Sequence, residues 1–318
     1  MSAYEEIDLK KISTYSIANR ASKVQITDFA QPYRAGSSMQ QFLSSLPEIL
    51  KASDFHQLID AIVAAHRADK QIILMMGAHV IKCGLSPLII QLLEAGIIRS
   101  VALNGAAIIH DTEVARWGLT SEDVAEALND GSFGMVRETI DFLNAALAKG
   151  RRDQLGLGEA VGKAIAESDA TNLSWSILAA GYRLKIPITV HVAIGTDILH
   201  QHPGTDGATL GELSHRDFRI FCAQVAKLTA GSVVLNVGSA VILPEVFLKA
   251  LTVARNLGHP AHGFVTANFD MIRHYRPEVN IVHRPTQTGG KGYIFTGHHE
   301  IMIPLLTAAI IEALSNQG

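Results

Sequence analysis

The sequence predicts a doubly wound α/β fold, a mostly parallel sheet with helices on both faces. Three observations lead there. From Gln71 onward, short apolar runs alternate with amphipathic helical patterns, and strands joined by helices run parallel. The runs are continuous rather than alternating, which means burial on both sheet faces. Glycines and ionisable residues gather where the runs end, and in such sheets ligands bind beyond the carboxyl ends of the strands.

The elements follow in order. Residues 1–65 form an N-terminal helical segment, with helix-like stretches at Met39–Leu50 and Phe55–Ala68. QIILMMG (71–77) reads as a strand before a helix over about 79–95, and SVALNGA (100–106) as the next strand. Residues 113–170 read as a helical excursion between sheet halves. PITVHVAIG (187–195) is followed by a long loop and a helix over about 214–229. SVVLNVG (232–238) precedes a helix from Pro244 to Asn256. GFVTANF (263–269), VNIVH (279–283) and YIFTG (293–297) read as the remaining strands. A core helix from Ile301 to Leu314 closes the chain, with Gly297 as its expected N-cap. No internal repeat or linker divides residues 66–318, so the expectation is a single domain over 1–318.

Apolar residues make up 48% of the 318, charged residues 18%, and the formal net charge is −3. So few charges suggest extensive burial between subunits, hence a homo-oligomer. No block of like charge points to nucleic acid or an anionic membrane. The two cysteines, Cys83 and Cys222, form neither a disulfide framework nor a CxxC site. The start MSAYEEIDLKK has no apolar signal region, and no apolar run approaches the roughly 18 residues needed to cross a bilayer. A cytoplasmic protein is expected.

Neither GxGxxG after a strand nor GxxxxGK[ST] occurs, so any nucleotide binds in another way. Two histidine groups stand out. TGHHE places His298 and His299 beside Glu300 at a strand end. His298 or His299 suits proton transfer near neutral pH. His191, His200 and His202, with nearby aspartates, lie in one loop region and could alternatively ligate a metal for a hydrolase or lyase. In TGGKGY, glycines flank Lys291, which in a partly desolvated pocket could be deprotonated and form an imine. Glu212 and Asp270 are candidate anchors for a cationic substrate.

Five ordered blocks resemble the deoxyhypusine synthase family. They are GAHVIKCGLSPLIIQLLEAGIIRSVALNGAAIIHD (77–111), TDGATLGE (205–212), VGSAVILP (237–244), VTANFD (265–270) and IMIPLL (301–306). The resemblance implies a homotetrameric NAD-binding α/β fold with sites at subunit interfaces, and aminoalkyl transfer from a polyamine through a lysine imine. Carried over by position, it implies an NAD site lined by Asn104, Gly105, Ala106, His110, Asp111, Asp197 or Asp206, Gly238, Ser239, Thr266 and Ala267. Lys291 would be the imine lysine and Glu212 the carboxylate that meets the amine. The family's histidine after the glycine-rich strand falls near Leu243, and the tryptophan of its W-G-K context is replaced by Gly289. The chain therefore reads as a divergent member, an NAD-dependent enzyme acting on a small amine or polyamine. A non-catalytic NAD-binding assembly protein is the further alternative.

Overall fold

The computed structural model describes residues 2–315; Met1 and residues 316–318, the ends of the expected domain, lie outside the described residues. Helices α1 (Met39–Ser44) and α2 (Leu50–Arg67) lead into β1 (Ile72–Met76), and α3 (His79–Lys82) and α4 (Ser86–Glu94) carry the chain to β2 (Ser100–Asn104). α5 (Gly105–Trp117) springs directly from β2. Then come α6 (Val124–Ala127), α7 (Arg137–Arg152), α8 (Leu157–Ala166) and α9 (Ile177–Leu184), before β3 (Ile188–His191). α10 (Gly207–Val225), β4 (Val233–Val237), α11 (Ile242–Asn256), β5 (Val265–Asp270), α12 (Tyr275–Pro277), β6 (Lys291–Thr296) and α13 (His299–Ser315) complete the chain.

The six strands are parallel in the order β3-β2-β1-β4-β5-β6. Side chains along each strand alternate between two apolar layers, which explains the continuous runs. Ile72, Leu74 and Met76 face one layer with α2, α4 and α8, while Ile73 and Met75 face the other with α11 and the second half of α10. The chain reverses its direction of strand addition between β1 and β4, and such a switch point opens the ligand crevice of a doubly wound sheet.

One expected strand is not a strand. Glu278–His283 forms a π-helical turn, with Ile281 and Val282 buried, and β5 pairs directly with β6. A short apolar run has no periodicity long enough to separate strand from helix. Pro277, with its φ of −60°, also sets the start of a helical turn here. Gly297 does not cap α13; the His298 carbonyl accepts from the N–H groups of Ile301 and Met302 (3.1 and 2.9 Å). Among the described residues, no helix is long and apolar enough to cross a membrane.

Candidate functional site at the carboxyl edge of the sheet

The ladder continues past the strand ends and ties three turns together. The Gly77 N–H donates to the Val237 carbonyl (2.9 Å), that of Gly238 to Phe269 (3.0 Å), and that of Gly297 to Asp270 (3.0 Å). Gly77 and Gly238 abut so closely that a Cβ on Gly77 would run into the Gly238 carbonyl oxygen. Behind the turn, Asn236 donates to the Ser239 carbonyl (2.9 Å) and to Asn268 Oδ1 (2.6 Å), while Ser239 Oγ accepts from the Leu243 N–H (3.2 Å) at the start of α11. A buried amide pair thus shapes the switch-point turn.

His299 enters this turn from the first residue of α13. It is 1% exposed, and a Cβ on Gly238 would lie 2.8 Å from its Nε2. Among the described residues its buried Nδ1 has no hydrogen-bond partner. Burial lowers the His299 pKa; the negative charge of Asp270 opposes this, and His79 adds to it. The His79 ring packs edge-on at 5.9 Å. His298, by contrast, points outward beside Glu300 (3.7 Å), whose other oxygen is 3.9 Å from Cys83 Sγ.

A cleft of about 450 Å³ opens on the β2 side, lined by residues of α3, α5, α6 and the segment around Asp197. Asn104 accepts from the Ala78 N–H (3.0 Å), which joins the β1 and β2 ends. Asp197 sits over the first turn of α5. Burial raises its pKa, while His200, Thr196 and the Ala106 N–H pull it down. Gly105 is flush against this carboxylate, which a Cβ would strike. The positive end of α5 is therefore already met by a carboxylate of the chain itself.

In the same cleft, His110 Nδ1 lies 2.7 Å from Thr120 Oγ1, and Thr120 donates to Glu113 Oε2 (2.5 Å). The sequence points to His110 but not to Glu113 or Thr120. The detectable signal was His110 and Glu113 three apart on a helix, a spacing that puts them on one face.

Most of the remaining expected residues lie elsewhere. Lys291 opens β6 at its amino end, pairs with Val265, bonds Gln57 Oε1 and lies over the Tyr293 ring. Five strand steps, about 17 Å, separate it from Thr296, so the structure does not bring it to His299. Thr266 and Ala267 are buried inside β5 rather than at its end. Asp111 is buried and accepts from Ser176 Oγ and the N–H groups of Ile177 and Leu178, which makes it the anchor of α9. Asp206 caps α10 and, with Glu212, pairs with Arg151 of α7. Asp270 does reach the edge, near His299 and 3.9 Å from His274.

The loop histidines are used locally. His191 meets Thr189 Oγ1 (3.0 Å), His200 Nδ1 accepts from the Gly195 and Asp197 N–H groups, and His202 Nδ1 accepts from Gly204. Among the described residues, no three His, Cys, Asp or Glu side chains converge as a metal would need.

No protein-family model and no curated protein matches the sequence. Solved structures do match. A conserved protein assigned as LOR/SDH from Methanococcus maripaludis S2 superposes with TM-score 0.52 at 14% identity, covering 84% of this chain and 71% of that one. A protein assigned as deoxyhypusine synthase from Entamoeba histolytica gives 0.52 at 11% identity, covering 89% and 97%. AgrE, in a ternary complex with ornithine and NAD+, gives 0.52 at 13% identity and covers 83% of this chain, which spans only 33% of AgrE. With the strand order and the helices on both faces, these likenesses assign the chain the deoxyhypusine synthase-like α/β fold.

Proposed function

We propose that the protein is an NAD-dependent enzyme acting on a small amine. The observation that carries this reading is His299, an imidazole buried at the switch point of a β3-β2-β1-β4-β5-β6 sheet with a ring nitrogen unpartnered among the described residues. That is the place where sheets of this order bind dinucleotides. A buried polar atom without a partner costs about 1–3 kcal/mol, which a ligand hydrogen bond would recover. The AgrE complex with ornithine and NAD+ supports both the cofactor and the amine class.

The residues at this edge fit such a cofactor. Gly77 and Gly238 let the β1 and β4 ends close against each other and against the His299 ring, which sets the floor of the crevice. Asp197, next to the β2 end, is the carboxylate for a ribose hydroxyl. NAD, when bound, supplies a hydride acceptor. His299, kept neutral by burial, can hold or release a proton at the reacting centre, and Asp270 stabilises its charged form. Lys291 has no part in this, given its place at the other end of β6. The same reading makes the molecule a cytoplasmic homotetramer with sites completed at subunit interfaces.

Titration with NAD while unfolding is followed tests the proposal. Binding to the folded state alone should stabilise it by about 2.7 kcal/mol at a hundredfold excess over Kd. His299→Asn should keep that response and lower NAD reduction by a panel of aliphatic amines about a hundredfold or more. No stabilisation at millimolar NAD would sink the reading. Binding without turnover on any amine would favour an assembly protein.

A further inference from the structure

The cleft over α5 holds a hydrogen-bonded chain that fixes one imidazole in one form. Thr120 has a single hydroxyl proton, and it goes to Glu113, whose other oxygen accepts from Thr139 Oγ1 (3.1 Å). At 2.7 Å the Thr120 oxygen must then accept from His110 Nδ1, so Nδ1 carries the ring proton. Nε2 is left with a free lone pair that no hydrogen bond among the described residues engages. Burial, with Lys82 adding to it, pushes the His110 pKa down to about 4, so the ring stays neutral.

The walls are mostly apolar, with Leu119, Val136, Phe133 and Ile198 among them. The charged side chains facing His110 across the cleft are Lys82 from α3, Glu113 from α5 itself, and Glu122 and Asp197 from the segments that close it. Three carboxylates against one ammonium favour a cation. A neutral imidazole adds no repulsion, and its lone pair can take an N–H. A free anion would meet Lys82 alone, against three carboxylates and an imidazole lone pair that offers it no proton.

We propose that this cleft binds an aliphatic ammonium ligand, with its apolar chain against Phe133 and Leu119 and an N–H donated to His110 Nε2, and that Thr120 and Glu113 are positioning residues that hold His110 in the accepting form. The choice of an amine rests on the function proposed above; the chain of contacts does not.

Calorimetry with 1-hexylamine and with hexanoate, in the absence of NAD, tests the proposal. Hexylamine should bind and hexanoate should not. Thr120→Val should weaken hexylamine at least tenfold, and Thr120→Ser, which restores the hydroxyl, should recover most of that loss. Nitrogen NMR of labelled histidine gives a readout that packing alone would not move: protonated Nδ1 in the parent and the Ser variant, and a shift toward protonated Nε2 in the Val variant. Hexanoate binding as tightly as hexylamine, unaltered binding in a folded Thr120→Val protein, or protonated Nε2 in the parent would each overturn the proposal. NAD titrated separately keeps the two readings apart, because amine binding that survives without any NAD response discards only the cofactor.

Discussion

Gly238 combines a backbone angle and a neighbour that together forbid a side chain. Its φ is +63°, and the space a Cβ would take is held by the His299 ring. Gly238→Ala should cost about 1–3 kcal/mol in denaturant unfolding; a loss under about 0.5 kcal/mol would mean that the turn relaxes freely. Asp217 carries a different penalty. It is 1% exposed and its Oδ2 accepts from the Gly158 and Val190 N–H groups (2.8 and 2.7 Å). Burial nevertheless pushes its pKa up to about 8. The folded state therefore keeps a proton that the unfolded chain releases above the ordinary carboxylate pKa. Stability should fall as pH rises from about 4 to about 8, by up to about 1.4 kcal/mol per unit. Asp217→Asn retains an acceptor oxygen for both N–H groups and should flatten that fall, measured by urea unfolding at about pH 5 and about pH 7.5. An unchanged slope would assign the titration to another group.

At the scale of elements, buried side chains join pieces far apart in sequence. Asp111 on α5 holds the start of α9 through three hydrogen bonds, at 2.5, 2.8 and 3.2 Å. Asp111→Ala should cost about 3 kcal/mol and speed hydrogen exchange at the first turn of α9; unaltered exchange there would remove Asp111 as the anchor. Lys291→Ala should leave any NAD-induced stabilisation within about twofold, since β6 separates that lysine from the edge. Strands were legible because parallel pairing buries both faces, so β1 and β4 announce themselves as unbroken apolar runs. The π-helical turn at Glu278–His283 was not, because six residues, three of them apolar, fit either state. The site was legible in part. Strand-end placement pointed to Gly238, Ser239, Asp270 and His299, which do meet, and to Asn104 and Asp197 beside them. Strand-end placement also pointed to Thr266, which lies inside β5, and aligned short blocks pointed to Asp206 and Glu212, whose partner Arg151 only tertiary contacts could disclose. Thr120 lies beyond the end of α5, so no helical spacing could link it to His110.

The whole molecule carries an N-terminal arm that buries almost nothing. Over residues 2–37 it forms only brief 3-10 turns, and Tyr4, Ile7 and Ile26 are 85%, 84% and 83% exposed. Apolar side chains exposed to this degree are what a subunit interface would bury. The intact chain should sediment as an oligomer, and removal of residues 1–37 should weaken that assembly. A monomer at micromolar concentration would discard the homotetramer.

The carboxylate seated on α5 has a consequence for cofactor choice. In the binding mode proposed above, with a ribose hydroxyl on Asp197, a 2′-phosphate on the adenosine ribose would meet that carboxylate as a like charge. It could not turn to the α5 N-terminus for relief, because Asp197 already covers it. The molecule should therefore discriminate against NADP by at least about tenfold, equivalent to about 1.4 kcal/mol. Asp197→Asn should narrow the gap by removing the opposing charge rather than by adding an attraction.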